Sequence, residues 1–251
     1  MTIPDDLPLA PLLDADRSAL FLDFDGTLVE LAPEPDAIVI PDTLVPLLAA
    51  LRTRLGGALA VVSGRAVGAI DTFLHPLDLP VAGVHGSERR AADGSLVLLP
   101  APSLDAVERA AADLLRRHPA LALEPKRGAL ALHYRQAPQL EALCGEVMQA
   151  AVAASPGVSL LHGKMVFEAK SALADKGMAI GAFLGEPPFA GRTPVFLGDD
   201  TTDEPGFAAA QQHGGTGIKV GPGTTQARHR IAHPAAVRAA LQAWVEGPAP
   251  R

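Results

Sequence analysis

Short apolar runs that stop at polar or glycine-rich tips recur along this chain, and each is followed by a stretch of helical periodicity. The first is "ALFLDFDG", and "ALAVVSGR" (58–65) and "TPVFLGDD" (193–200) end the same way. Runs of this length alternating with helical patterns predict parallel strands joined by crossover helices, an α/β fold with a doubly wound sheet. "LPVAGVHG" (79–86) reads as a further strand, and "DGSLVLL" (93–99) as a turn into an edge strand. Ligands of such sheets bind at the carboxyl ends of the strands, where this chain concentrates its aspartates.

The middle of the chain has a different rhythm. "SLDAVERAAADLLRRHP" predicts an amphipathic helix, "LALEPKRGALALHYR" two strands turning at Arg127–Gly128, "APQLEALCGEVMQAAVAAS" a second helix, and "VSLLHGKMVFEAK" another strand pair. Helix, two strands, helix, two strands predicts a small sheet covered by two helices. The expected organisation is an α/β domain at 102–171 inserted into a core formed by 1–101 and 172–251.

With 251 residues, 48% of them hydrophobic, the chain has material for a substantial core. Its 21 Lys and Arg against 28 Asp and Glu give a net charge of -7, which argues against nucleic acid or an anionic membrane surface as a partner. Any anion must be held locally. The single cysteine, Cys144, excludes an intramolecular disulfide, and with no basic leader in "MTIPDDLPLAPLLDADRS" and no bilayer-length apolar run the expectation is a soluble, cytoplasmic protein.

A buried strand that runs into Asp23 and Asp25 needs a cation, hydrogen-bond donors or a chemical task there, because carboxylates are costly to desolvate. Other tips supply candidates: Ser63-Gly64-Arg65, Lys176 in "ADKGMAI", and Asp199-Asp200 with Asp203. Singly these read as turns, caps or a solvated helix face. Together they offer carboxylate oxygens for a hard divalent cation, a hydroxyl and backbone amides for phosphate oxygens, and an ammonium.

"DFDGTL", "SGR", the lysine of "DKG" and "GDDTTDE" resemble the four ordered motifs of haloacid dehalogenase superfamily phosphatases, and they stand in the same order over most of the chain. "GVHGSERR", "LEPKRGALALHYR", "HGKMVFEAK" and "GDDTTDE" are similar to the trehalose-6-phosphate phosphatases within it. The resemblance implies a Rossmann-like core with an α/β cap inserted between the second and third motifs. It also implies hydrolysis of trehalose 6-phosphate to trehalose and phosphate, the last step of trehalose biosynthesis, beside a trehalose-6-phosphate synthase. By the same resemblance Asp23 is the nucleophile that forms an aspartyl-phosphate, and Asp25 the acid that protonates the leaving sugar oxygen and later deprotonates water. Magnesium is expected on Asp23, the backbone carbonyl of Asp25 and Asp199, with Asp200 reached through water. Ser63 and the amides of Gly64 and Arg65 hold phosphoryl oxygens, and Lys176 neutralises Asp23 and the transferring group.

These roles make physical sense. An aspartate with a reference pKa of about 3.9 attacks without a base, whereas Asp25 must carry a proton, which calls for crowding carboxylates or partial burial. Two readings stand for Asp203: it orients Lys176, or it is an acid favoured at a helix N-terminus. Specificity is expected from the cap, where Glu124 and Lys126, and again Lys164, Val166 and Glu168, fall two apart and hence on one strand face. The alternative there is a surface of alternating charges. His85 and Arg89 either face substrate or hold their loop. Family members often carry proline soon after the residue matching Glu168, whereas this chain reads "EAKSALADKG", which leaves the hinge geometry open. The rival functions are another sugar phosphatase, a phosphomannomutase-like enzyme needing a bisphosphate activator, and a sugar-phosphate sensor without turnover.

Overall fold

The computed structural model describes residues 4, 6–32 and 37–248. In chain order the first part contributes β1 (Ser18–Leu22), α1 (Leu44–Arg54), β2 (Leu59–Val62), α2 (Val67–Leu74), β3 (Val81–Gly83), β4 (Glu88–Arg90) and β5 (Leu96–Leu98). The middle part contributes α3 (Asp105–Arg117), β6 (Ala122–Lys126), β7 (Ala129–His133), α4 (Glu141–Ala153), β8 (Val158–Gly163) and β9 (Val166–Ser171). Then come α5 (Lys176–Leu184), β10 (Thr193–Gly198), α6 (Glu204–Gln212), β11 (Thr216–Val220), β12 (His229–Ile231) and α7 (Pro234–Glu246). Two compact units emerge, Met1–Val97 with Asp175–Arg251, and Leu98–Ala174.

The first unit is built on an eight-stranded sheet of order β12-β11-β10-β1-β2-β3-β4-β5. Pairing is parallel from β12 to β3, and β4 returns antiparallel. All five residues of β1 are buried, as a strand covered on both faces requires. Its alternate side chains feed two cores. Leu20 and Leu22 join Leu59, Val61, Val195 and Leu197 under α1, α2 and α7, while Phe21 joins Ala60, Val62 and Phe196 under α5 and α6. From β1 the chain winds outward through β2 and β3, and after the insertion it winds the other way through β10, β11 and β12. The switch point therefore lies at β1, between β2 and β10, the position at which open α/β sheets bind ligands.

"LPVAGVHG" is only half strand. β3 stops at Gly83, and Val84, His85 and Gly86 follow with φ of 47°, 55° and 103°, a left-handed turn that β-branched valine rarely enters.

The second unit is a four-stranded antiparallel sheet of order β6-β7-β9-β8. Val107, Ala111 and Leu114 of α3, and Cys144, Met148 and Ala151 of α4, share a core with Leu130, Leu132, Phe167 and Ala169 of the sheet. Cys144 is a packing residue. The two-residue period directs the alternate set, Ala129, Ala131 and His133 on β7 and Val166, Glu168 and Lys170 on β9, to the opposite face. Among the described residues, no helix is long and apolar enough to cross a membrane.

Candidate active site

Asp23, Ser63 and Asp199 each stand one residue beyond the end of a strand, β1, β2 and β10 respectively, and these strands are immediate neighbours. Lys176 opens α5, whose preceding residue Asp175 caps it by accepting from the Met178 N–H at 2.7 Å. An ammonium at a helix N-terminus opposes the macrodipole, so this one depends on other partners. Its Nζ donates to Oδ1 of Asp23 and to Oδ1 of Asp203, both at 2.6 Å, and all three residues are buried. Burial works against the charge of Lys176, but Asp203 and Asp23 outweigh it and hold the ammonium above its ordinary range.

The surroundings of the nucleophile candidate move it away from the reference value. Burial, opposed by Lys176 and reinforced by the charges of Asp203 and Asp199, pushes the Asp23 carboxyl well above the usual range. Asp23, Asp199 and Asp203 each offer an oxygen within 4.8 Å of the others. This excess of carboxylate over ammonium is the electrostatic situation that a divalent cation relieves, and an all-oxygen donor set suits magnesium.

Asp203 resolves into both of its readings at once. While Oδ1 holds Lys176, Oδ2 accepts from the backbone N–H of Asp199 and of Asp200, each at 2.9 Å. Three donors occupy it, so it orients the lysine and shapes the β10 tip. Asp200, expected to reach a metal through water, turns a carboxylate oxygen to the Thr201 N–H at 2.7 Å as a helix cap. Lys219, a buried lysine within the apolar β11, donates to the Asp199 carbonyl. The one signal for it was a cation inside "TGIKVG".

The carboxylates expected to crowd Asp25 crowd Asp23 instead. Asp25 accepts from Nε and Nη2 of Arg65 at 2.6 and 2.8 Å, and the guanidinium also lies 5.1 Å from the Phe73 ring centre. Ser63 is buried, and its Oγ accepts from the Arg65 N–H at 3.1 Å. Arg89, in β4, pairs with Glu186 and lies 4.9 Å from the Phe183 ring centre. His85 is buried with its ring close to Gly64.

In the second unit Glu124 and Lys126 do share a face, and Glu168 joins them. Lys126 Nζ donates to Glu168 at 3.0 Å and lies 3.8 Å from Glu124. His133 Nε2 meets Glu124 at 2.9 Å. The hydrogen bond to His133, against the cost of burial and aided by the charge of Lys126, holds the Glu124 carboxyl below its usual range. Lys164 is a correction. It lies in the turn between β8 and β9, where Met165 has a φ of 62°, so counting by twos from Glu168 does not reach it. His133 was missed, although the same two-residue rule applied along β7 would have put it opposite Leu132.

A sequence profile described as Trehalose-phosphatase matches residues 21–237. The chain is 44% identical over 236 residues to the trehalose-6-phosphate phosphatase of Escherichia coli K12, covering 92% of this chain and 87% of that one. It is 45% identical over 213 residues to a probable trehalose-phosphate phosphatase of Sinorhizobium fredii, covering 83% and 80%. A crystal structure of a trehalose-6-phosphate phosphatase related protein superimposes with a TM-score of 0.72 at 28% identity, covering 90% of this chain and 96% of that one. With the profile spanning most of the chain and these relatives aligned along most of their own length, the chain belongs to the trehalose-phosphatase family.

Proposed function

We propose that this chain hydrolyses trehalose 6-phosphate to trehalose and phosphate through an aspartyl-phosphate on Asp23, with magnesium as its cofactor. The observation that carries the reading is the buried Asp23–Lys176–Asp203 contact beside Asp199 at the switch point of the sheet, in a chain of this family. A carboxylate oxygen of Asp23 attacks phosphorus as the bond from phosphorus to the sugar oxygen breaks, and Asp25 gives that oxygen a proton. Water then loses a proton to Asp25 and attacks phosphorus, which releases phosphate and restores the Asp23 carboxylate. Arg65 engages both oxygens of Asp25, so this pair opens before the proton is transferred, and the entering phosphoryl oxygens are the alternative acceptors for the guanidinium. Lys176 faces the negative charge that accumulates around Asp23.

Asp23, Asp199 and the backbone carbonyl of Asp25 are the groups that would hold magnesium, with Asp200 reaching it through water. When bound, the ion supplies the positive charge that lets a carboxylate approach a phosphate dianion. The test is phosphate release from a panel of sugar phosphates, with magnesium and with chelator. Trehalose 6-phosphate is expected to be the best substrate, with release abolished by chelation and restored by magnesium. Full activity after exhaustive chelation would remove the metal from the reading, a requirement for a bisphosphate activator would favour a mutase, and binding without release would favour a sensor.

Glu124, Lys126 and Glu168 are the groups proposed to read the second sugar, since carboxylates accept from hydroxyls and an ammonium donates to them. Lys126→Ala is expected to lower kcat/KM for trehalose 6-phosphate about ten- to a hundredfold, the effect of one lost charge-assisted hydrogen bond. Hydrolysis of p-nitrophenyl phosphate, which has no second sugar, should be unchanged. Equal losses on both substrates would make these residues supports of the small sheet.

A further inference from the structure

The left-handed turn after β3 touches two of the catalytic segments. On one side the Val84 N–H donates to the Arg65 carbonyl and the His85 N–H to the Ser63 carbonyl, each at 2.9 Å. Glu88, just beyond the turn, accepts from the Val67 N–H at 2.6 Å, at the start of α2. The His85 ring lies against the backbone of Gly64, so closely that a Cβ there would fall 2.7 Å from Cε1 and 2.8 Å from Nε2. On the other side, a Cβ on Gly86 would fall 2.9 Å from the Asp175 carbonyl and 3.2 Å from Ala179 Cβ. Asp175 is the cap of the helix that begins with Lys176. Two non-glycine residues in succession, one of them β-branched, hold positive φ here, a conformation kept only where the surroundings impose it.

We infer that the Val84–Gly86 turn is a spacer that sets the distance between the phosphate-binding loop at Ser63–Arg65 and the start of the Lys176 helix, with His85 as a positioning residue acting through Gly64. A hydroxyl and an ammonium that act on one phosphoryl group need their separation fixed to a fraction of an ångström. Neither segment fixes it alone, because one follows β2 and the other opens α5. The turn is in contact with both, and the edge of the His85 ring bearing Cε1 and Nε2 is packed on Gly64. This inference rests on the phosphatase reading for the identity of the anion.

Calorimetry of inorganic phosphate and of tungstate in magnesium buffer tests it, since anion binding is read directly, whichever sugar phosphate is turned over. Gly64→Ala places a methyl group where the ring lies and is expected to weaken phosphate binding about a hundredfold. His85→Asn keeps a residue that tolerates the left-handed conformation but lacks the two atoms nearest Gly64, and is expected to weaken binding about tenfold. Combined with His85→Asn, Gly64→Ala gains room. The double variant should bind phosphate about tenfold more tightly than Gly64→Ala alone. Gly86→Ala, which presses on Asp175, should also weaken phosphate, and His85→Asn should not rescue it. The inference is overturned if His85→Asn binds phosphate like the wild type, if the double variant is no better than Gly64→Ala, or if Gly86→Ala is rescued as well. Should His85→Asn fail to fold, His85→Ala with Gly64→Ala makes the same comparison.

Discussion

Asp23→Asn is expected to lower trehalose 6-phosphate turnover on the order of 10⁴-fold or more, because an amide cannot form the acyl phosphate and no neighbouring group replaces it. The fold should survive. Lys176 keeps Asp203 at 2.6 Å, so removing one carboxylate does not leave a buried ammonium alone. Stability carries its own signature. The carboxyl of Asp23 is raised in the folded state, first by burial, so its contribution is present below the unfolded value near 3.8 and is lost as pH rises through the folded value. Asparagine has no such loss. In chelator at neutral pH the variant should therefore melt at or above the wild type, and the difference should close as the pH falls towards 4. With the proposed magnesium site on the native carboxylates, magnesium should raise the wild-type melting temperature more than that of the variant. Turnover by Asp23→Asn near the wild-type rate, measured as phosphate release, would sink the mechanism.

The parts of the fold that were legible are those in which one residue's environment follows from its neighbours in sequence. β1, β2 and β10 announced themselves as apolar runs ending in polar tips, and the helix-strand-strand rhythm of the second unit followed from periodicity alone. The left-handed turn did not. "VAGVHG" has the β-branched composition of a strand, and what bends it are the carbonyls of Ser63 and Arg65, some twenty residues away in sequence. A tertiary contact overrides a local preference there. Lys164 departs from the expectation for a related reason: strand alternation along "KMVFE" holds only from Val166 on, because the chain reverses at Lys164–Met165.

At the site, the residue types were legible and their pairings were not. Which aspartate would be crowded depends on depth. Asp23 lies under the β1 tip among Asp199 and Asp203, while Asp25, two residues on, pairs with Arg65. Sequence spacing treats the two alike. Asp203 had two competing readings only because one carboxylate was expected to do one thing; each of its oxygens turns out to serve a different task. Lys219 carried a faint signal, a charge inside a buried strand, whose meaning lies in the Asp199 carbonyl it meets.

Lys176→Met should separate the electrostatic role of this lysine from its catalytic one. Methionine fills a similar volume without charge, so the loss is that of the ion pairs with Asp23 and Asp203. Removing one partner of a buried pair costs about 3–5 kcal/mol because the remaining charge is uncompensated, and here two carboxylates lose the same ammonium. In chelator the variant should be destabilised by about that amount in urea unfolding. A divalent cation can take over the neutralisation, so magnesium should stabilise the variant by more than it stabilises the wild type, and much of the deficit should disappear. Turnover should not return with it. Lys176 donates to Oδ1 of Asp23, on the carboxylate proposed to attack phosphorus, and losing a preorganised cation at that point should cost about 10²- to 10³-fold in kcat. If magnesium restored stability and turnover together, Lys176 would be a structural counter-ion alone. If magnesium restored neither, the carboxylates would need the lysine to hold the metal at all.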